Sequence, residues 1–311
     1  MTRHPLQRIQ MATVARRYYL ERWTKSRIAE DLGLSRFKVA RLLDQAVETG
    51  LVRFEIDEPS DLDSVLSEAV RERFGLRSAL VLAGGDLPAS ALVTPIGTVA
   101  ARLLEEILLP GQVLGVAWGR TLAATAKALT RLPPVDVVQA AGSMAGLDYS
   151  LNSAELVHRM AGLSGGEAYP LYGPMWVEDA TLARQLRAEP TVARTLARQQ
   201  EIDVLMVGIG SWDPPESCLH STFPPAWREA AIARGVRADL CATLIDAEGR
   251  AVPGELDETG LAISTDLLRR IPNVVGVGGG VEKAEAVAAV LRGGWVDSLV
   301  TGAATARRLL A

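Results

Sequence analysis

A chain of 311 residues, 48% hydrophobic and 23% charged with a net charge of −4, has the composition of a globular protein and not of a disordered or fibrous one. That length is too great for one small binding module, so two domains are expected. The opening MTRHPLQRIQ lacks the apolar run of a signal peptide, and no window approaches the roughly 20 apolar residues that span a bilayer, which predicts a cytoplasmic protein with no membrane partner.

Taken in chain order, Met11, Val14, Ala15, Tyr18 and Tyr19 recur at helical spacing and predict a first helix. Thr24 to Val52 then reads as helix, tight turn, helix. Ile28, Ala29 and Leu32 share one face of a short helix, Gly33 supplies the turn, and Val39, Leu42, Leu43 and Ala46 repeat in the next helix. Thr24 and Ser35 each precede an apolar-periodic run and are placed to cap it. Arg36, Lys38 and Arg41 point away from the shared core. A helix-turn-helix has this layout: the N-terminal residues of its second helix face base edges and its cations meet phosphates. A plain helical hairpin with a solvated basic face is the alternative.

Leu51 to Ile56 alternates as a short strand would, which suggests a wing. Charge supports a nucleic-acid partner. Eleven Lys/Arg stand against five Asp/Glu through Arg53, a net of +6, which leaves 22 against 32, or −10, for the remainder.

DEPSDLD, Asp57 to Asp63, breaks the periodicity and sets the expected division into residues 1–57 and 58–311. Leu66, Ala69, Val70 and Phe74 predict a linking helix. Beyond it, Ala79 to Leu82, Val113 to Val116, Val135 to Gln139, Val204 to Val207, Val274 to Val277 and Ser298 to Thr301 read as buried strands separated mostly by amphipathic helices. The predicted fold is α/β, with a doubly wound, mainly parallel sheet covered on both faces.

In such sheets ligands bind at the carboxyl ends of strands. Three strand ends carry glycine turns: Gly115 to Leu122, with Gly119, Arg120 and Thr121 at the start of a helix; Gly142-Ser143; and Gly208 to Ser211, with Gly210. Near the C-terminus, Gly278, Gly279 and Gly280 precede Lys283 in the first turn of a helix, where a cation opposes the helix dipole. Lys283 either meets an anionic or polyhydroxyl ligand, or is solvated or paired with Glu282 or Glu285. Asp239 follows an extended run and is suited to two neighbouring hydroxyls, or is a surface carboxylate. Cys218 and Cys241 are too few and too far apart for a zinc knuckle or a disulfide framework, and are expected to be inert packing residues.

ARRYYL followed by IAEDLGLSRFKVARLLDQAVETGLV resembles the winged helix-turn-helix that opens the SorC family of sugar-responsive bacterial transcription regulators. The blocks GVAWGRTL, QAAGS, VGIGS, ADLCATLIDAEG and LLRRIPNVVGVGGGVEKAEAVAAVLRGGWVDSLVT are similar to that family's effector domain along nearly its full length. The resemblance implies a fold like sugar-phosphate isomerases and glucosamine-phosphate deaminases, used as a sensor. It implies double-stranded operator DNA as partner, with Tyr18, Tyr19, Lys25, Ser35, Arg36, Lys38 and Arg41 at the DNA. A sugar, polyol or sugar-phosphate effector would lie among Gly119, Arg120, Thr121, Gly142, Ser143, Gly210, Asp239, Gly279 and Lys283. It also implies a homo-oligomer, a tetramer or dimer of dimers.

Three departures are visible. Lys25 stands where the family often has Gln, Thr301-Gly302-Ala303 where it often has TDE, and Ala238-Asp239 where it often has Gly-Asp. The first bears on the operator, the others on the shape and charge of the pocket.

The rival class is a sugar-phosphate isomerase or deaminase carrying a DNA-binding head. Such chemistry needs a positioned acid and base. The chain offers His4, His158 and His220 and no Ser-His-Asp ordering or metal cluster, so no catalytic residue, metal or cofactor is expected.

Overall fold

Thr24 and Ser35 cap their helices as their hydroxyls suggest. Thr24 Oγ1 accepts from the Arg27 N–H (3.2 Å) and Ser35 Oγ from the Lys38 N–H (3.1 Å). They open α2 (Lys25–Leu32) and α3 (Arg36–Glu48), with Gly33 closing α2 at φ +62°. Before them, α1 (Pro5–Ala15) ends in a wide π turn, Arg16–Leu20, which carries both tyrosines. Met11, Val14, Ile28, Val39, Leu42, Leu43 and Ala46 form the core, with Tyr18 and Tyr19 packed against it. The computed structural model describes residues 5–54, 61–144 and 153–311 and divides into two units, Met1–Glu58 and Pro59–Ala311.

The expected wing strand is not found where it can be traced. Residues 51–54 pair in no strand ladder among the described residues, and 55–56 lie outside them. The Val52 N–H donates to the Ala46 carbonyl (2.9 Å) and Leu51 and Val52 pack on the small core, so the chain continues the helix end instead of extending.

The larger unit alternates strand and helix. Its elements are α4 (Ser64–Phe74), β1 (Ser78–Leu82), α5 (Ala89–Ile107), β2 (Val113–Val116), α6 (Arg120–Ala128), β3 (Asp136–Gln139), α7 (Ser153–Ser164), β4 (Ala168–Tyr169), α8 (Ala180–Ala188), α9 (Pro190–Gln199) and β5 (Val204–Ser211). There follow α10 (Cys218–Thr222), α11 (Pro225–Ala233), β6 (Val236–Leu240), β7 (Thr243–Asp246), α12 (Leu256–Thr259), α13 (Thr265–Leu268), β8 (Asn273–Val277), α14 (Ala284–Arg292), β9 (Ser298–Gly302) and α15 (Ala303–Leu310). Seven strands form a parallel sheet in the order β1-β9-β8-β5-β2-β3-β4. Its central strands are buried along their whole length, as their unbroken apolar runs predict. Among the described residues, no helix is long and apolar enough to cross a membrane.

The sequence reading missed β4, β6 and β7. β4 is only two residues long. β6 carries Arg237 and Asp239 between its apolar residues, so it does not read as an apolar run. The antiparallel β6–β7 hairpin turns through Cys241 (φ +45°) and Ala242 (φ +71°), a left-handed pair usually written with Gly or Asn, so no turn signal marks it. β5 is longer than expected because it serves two partners. Val204 to Gly208 lies between β2 and β8, then Ile209 to Ser211 pairs antiparallel with β6.

Candidate functional site

β8, β5 and β2 lie side by side, and the chain order reverses around them: β3 and β4 continue beyond β2, whereas β8 and β9 lie on the other side of β5. Such a switch point leaves a crevice at the carboxyl ends of the strands. A cavity of about 60 Å³ opens there. That is room for several water-sized groups. Of the residues expected at an effector, Gly119, Arg120, Thr121, Gly210, Asp239, Gly279 and Lys283 all line it. Four separate strand ends contribute them.

Each polar group has a definite setting. Gly119 precedes α6 and no side chain caps that helix, so the free N–H groups of its first turn face the strand ends with the positive end of the dipole. Lys283 ends a short 3-10 turn, Val281–Lys283, and its ammonium donates to the Ile209 carbonyl (2.8 Å). Burial holds that ammonium below the usual lysine range, with Asp239 pulling the other way. The alternative of a pair with Glu282 or Glu285 does not occur: Glu282 accepts from the Ala89 N–H (3.3 Å), and Lys283 makes no ion pair among the described residues. One of the three Lys283 donors is engaged by Ile209.

Asp239 is not a surface carboxylate; it is 4% exposed. It accepts from Trp212 Nε1 (2.8 Å) and from the Ser217 hydroxyl. Gly210 faces it across the β5–β6 ladder, where a Cβ would overlap the carboxylate. Burial raises the Asp239 carboxyl above its ordinary range, against the opposing influence of Ser217, Trp212 and Lys283. A folded-state pKa above the unfolded one means stability present at acid pH and lost as pH rises through the folded value. Asp239→Asn keeps an oxygen for both donors. It is expected to melt above wild type at neutral pH, the gap closing below about pH 4, in thermal scans across pH. A variant that melted lower at every pH would refute this account.

The segment between β5 and α10 supplies groups that sequence reasoning missed: Trp212 and Ser217 on Asp239, and Glu216, which pairs with Arg120 (2.8 Å). Ser217 also caps α10. The serine before CLHST was a legible capping signal; its contact with Asp239 was not. Cys218 and Cys241 also line the cavity, and burial pushes both thiols up, which leaves them poor nucleophiles.

Gly142 and Ser143, expected at the effector, do not line this cavity. Gly142 donates to the Leu261 carbonyl (2.8 Å), and a Cβ there would overlap the Pro174 carbonyl. The second glycine turn is a close backbone crossing, beside which Ser143 bridges to Pro174. Of the histidines, His158 is exposed on α7, and His220 stands edge-on to Trp212 (5.1 Å) without lining the cavity. His4 lies outside the described residues.

In the small unit, Arg36 and Arg41 are exposed on α3 and Lys38 is half-buried. Tyr18 and Tyr19 stack edge-on (5.0 Å), and Tyr19 meets Phe54 (5.2 Å). Lys25 Nζ lies 5.6 Å from the Tyr18 ring centre, a cation–π distance. The tyrosines therefore have a packing role of their own, and Tyr18 orients Lys25.

Comparison with known proteins gives a consistent picture. Residues 59–311 match the Sugar-bind family, described as "Putative sugar-binding domain". The chain is 31% identical over 305 residues to the transcriptional regulator LsrR of Klebsiella pneumoniae subsp. pneumoniae, covering 97% of this chain and 92% of the relative. It is 28% identical over 320 residues to LsrR of Escherichia coli K12, covering 97% and 94%. Among solved structures, the full-length sorbitol operon regulator SorC from Klebsiella pneumoniae superimposes with a TM-score of 0.75 at 24% identity, covering 98% of this chain and 99% of that one. At that identity the likeness carries the fold.

Proposed function

The chain belongs to the SorC family of sugar-binding transcriptional regulators, and we propose that its signal is a small polyhydroxylated anion, a sugar phosphate or phosphorylated polyol. It is a sugar-responsive regulator of an operon. In this reading residues 1–57 bind operator DNA through α3, and residues 58–311 bind the effector and assemble the chain into a homo-oligomer, a tetramer. The protein is a sensor and not an enzyme. Effector and DNA affinities are then linked reciprocally.

One observation carries the choice of an anion: Arg120, the uncapped start of α6 and the half-buried Lys283 converge on one cavity, with Asp239 as acceptor for hydroxyls. The test is thermal stabilisation of the full chain by paired free and phosphorylated sugars and polyols, since a bound ligand raises apparent stability by mass action. A phosphorylated hit supports the reading. Stabilisation by uncharged sugars alone defeats the anion, and product formation from a hit restores the enzyme class.

Glu216 bears on the same question. Its pair with Arg120 has side chains 36% and 45% exposed, and a pair so exposed is worth about 0–1 kcal/mol, so an anionic ligand can displace it. Glu216→Gln is expected to tighten a phosphorylated effector by up to about five-fold and leave an uncharged sugar unaffected, as read by calorimetric titration. An equal change for both ligands would remove Glu216 from the anion's subsite.

A further inference from the structure

Phe37 has no explanation within its own domain. It is 88% exposed, the most exposed of the large apolar side chains among the described residues, and it lies on the first turn of α3 just after the capping Ser35. The core of this unit is made by Val39, Leu42, Leu43 and Ala46, so the ring stands outside it. A ring left in water forgoes the burial that other large apolar residues gain. It is surrounded by cations: Arg36 precedes it, Lys38 follows, and Arg41 is one helical turn further along the same exposed stripe.

Charge complementarity points to a polyanion, and the N-terminal turn of a recognition helix is the part that meets base edges. Cations there can hold phosphates; a phenyl ring, with no donor, cannot. In the major groove every base pair offers donors and acceptors, but only thymine offers an apolar group, its 5-methyl. We propose that Phe37 is a specificity-determining residue that reads thymine methyls in the operator. This rests on the reading of α3 as the DNA-contacting helix. The contact is one of dispersion and water exclusion, so it responds to the methyl and not to the hydrogen-bonding edge.

The experiment uses full-length protein and a duplex selected by that protein from a randomised pool, alongside the same duplex with every thymine replaced by deoxyuridine. Wild type is expected to bind the uracil duplex about four-fold more weakly for each thymine contacted, the worth of one methyl. Phe37→Ala is expected to bind both duplexes alike, with its dependence on salt unchanged, and Phe37→Leu to keep part of the discrimination. Wild type that does not distinguish the duplexes overturns the proposal, as does Phe37→Ala that still distinguishes them. A Phe37→Ala variant that alters the oligomeric state without altering base preference assigns the ring to contact with a second copy and also overturns it. Wild type that selects no duplex at all defeats the DNA-binding reading beneath it.

Discussion

Lys283→Met is expected to weaken effector binding by more than about tenfold while leaving the fold and the DNA-binding unit in place. The methionine keeps most of the side-chain length beside the apolar lining residues Ile96, Ile209 and Val277 and removes the cation together with its bond to the Ile209 carbonyl. A charge-assisted hydrogen bond to a ligand anion contributes about 1.5–3 kcal/mol. Losing one partner of a buried hydrogen-bonded charge pair costs about 2–5 kcal/mol. The effector dissociation constant should therefore rise roughly 30- to 5,000-fold. Effector-induced change in DNA affinity should shrink accordingly, since a ligand shifts an equilibrium only by its differential affinity. Calorimetric titration of the effector, with DNA binding measured in its absence, separates the outcomes. Unchanged effector affinity would mean that Lys283 serves only to hold the Ile209 carbonyl. Loss of DNA binding without effector would point to a damaged fold.

The second large effect is expected at the other end of the chain. Arg36→Ala with Arg41→Ala removes two exposed cations from α3 but none of the residues that pack it, since Val39, Leu42, Leu43 and Ala46 lie on the buried side. If each arginine makes one phosphate or base contact, operator affinity falls by about 1–3 kcal/mol per residue, or roughly 30-fold to 25,000-fold for the pair. Phosphate contacts carry a further signature. The slope of log affinity against log salt should flatten by about 0.9 for each one lost. Effector titration should be unaffected. A double variant that bound the operator as wild type does would move the DNA interface away from α3.

Much of the small unit was legible in the sequence because its determinants are local. Thr24, Gly33 and Ser35 act on backbone groups within three or four residues of themselves, and the apolar spacing of α2 and α3 fixes which faces meet. The six buried strands were legible for a related reason: a strand covered on both faces must be apolar throughout, and a run such as Val113 to Val116 states that directly. The glycine turns after β2 and β8 announced those strand ends, and with them Arg120 and Lys283; the third expected turn, Gly208 to Ser211, is instead the end of β5 itself, paired with β6.

Tertiary structure alone decided the rest. Gly142-Ser143 has the same local signature as Gly210-Ser211, yet the first is a backbone crossing against Pro174 and the second continues β5 and faces β6, a difference set by which distant segments arrive. Asp239 gains its donors from Trp212 and Ser217 because β6, reached through α10 and α11, lies antiparallel against the end of β5 and so returns to the segment that follows β5. Lys283 reaches the Ile209 carbonyl 74 positions earlier in the chain, and Glu216 reaches Arg120 across 96. The sequence by itself determined the helix-turn-helix, the parallel sheet and which strand ends carry charge, because caps, turns and apolar runs act over a few residues. Which of those charges share one cavity was decided only by the order of strands in the sheet, because hydrogen bonding between distant strands leaves no periodic trace in the chain.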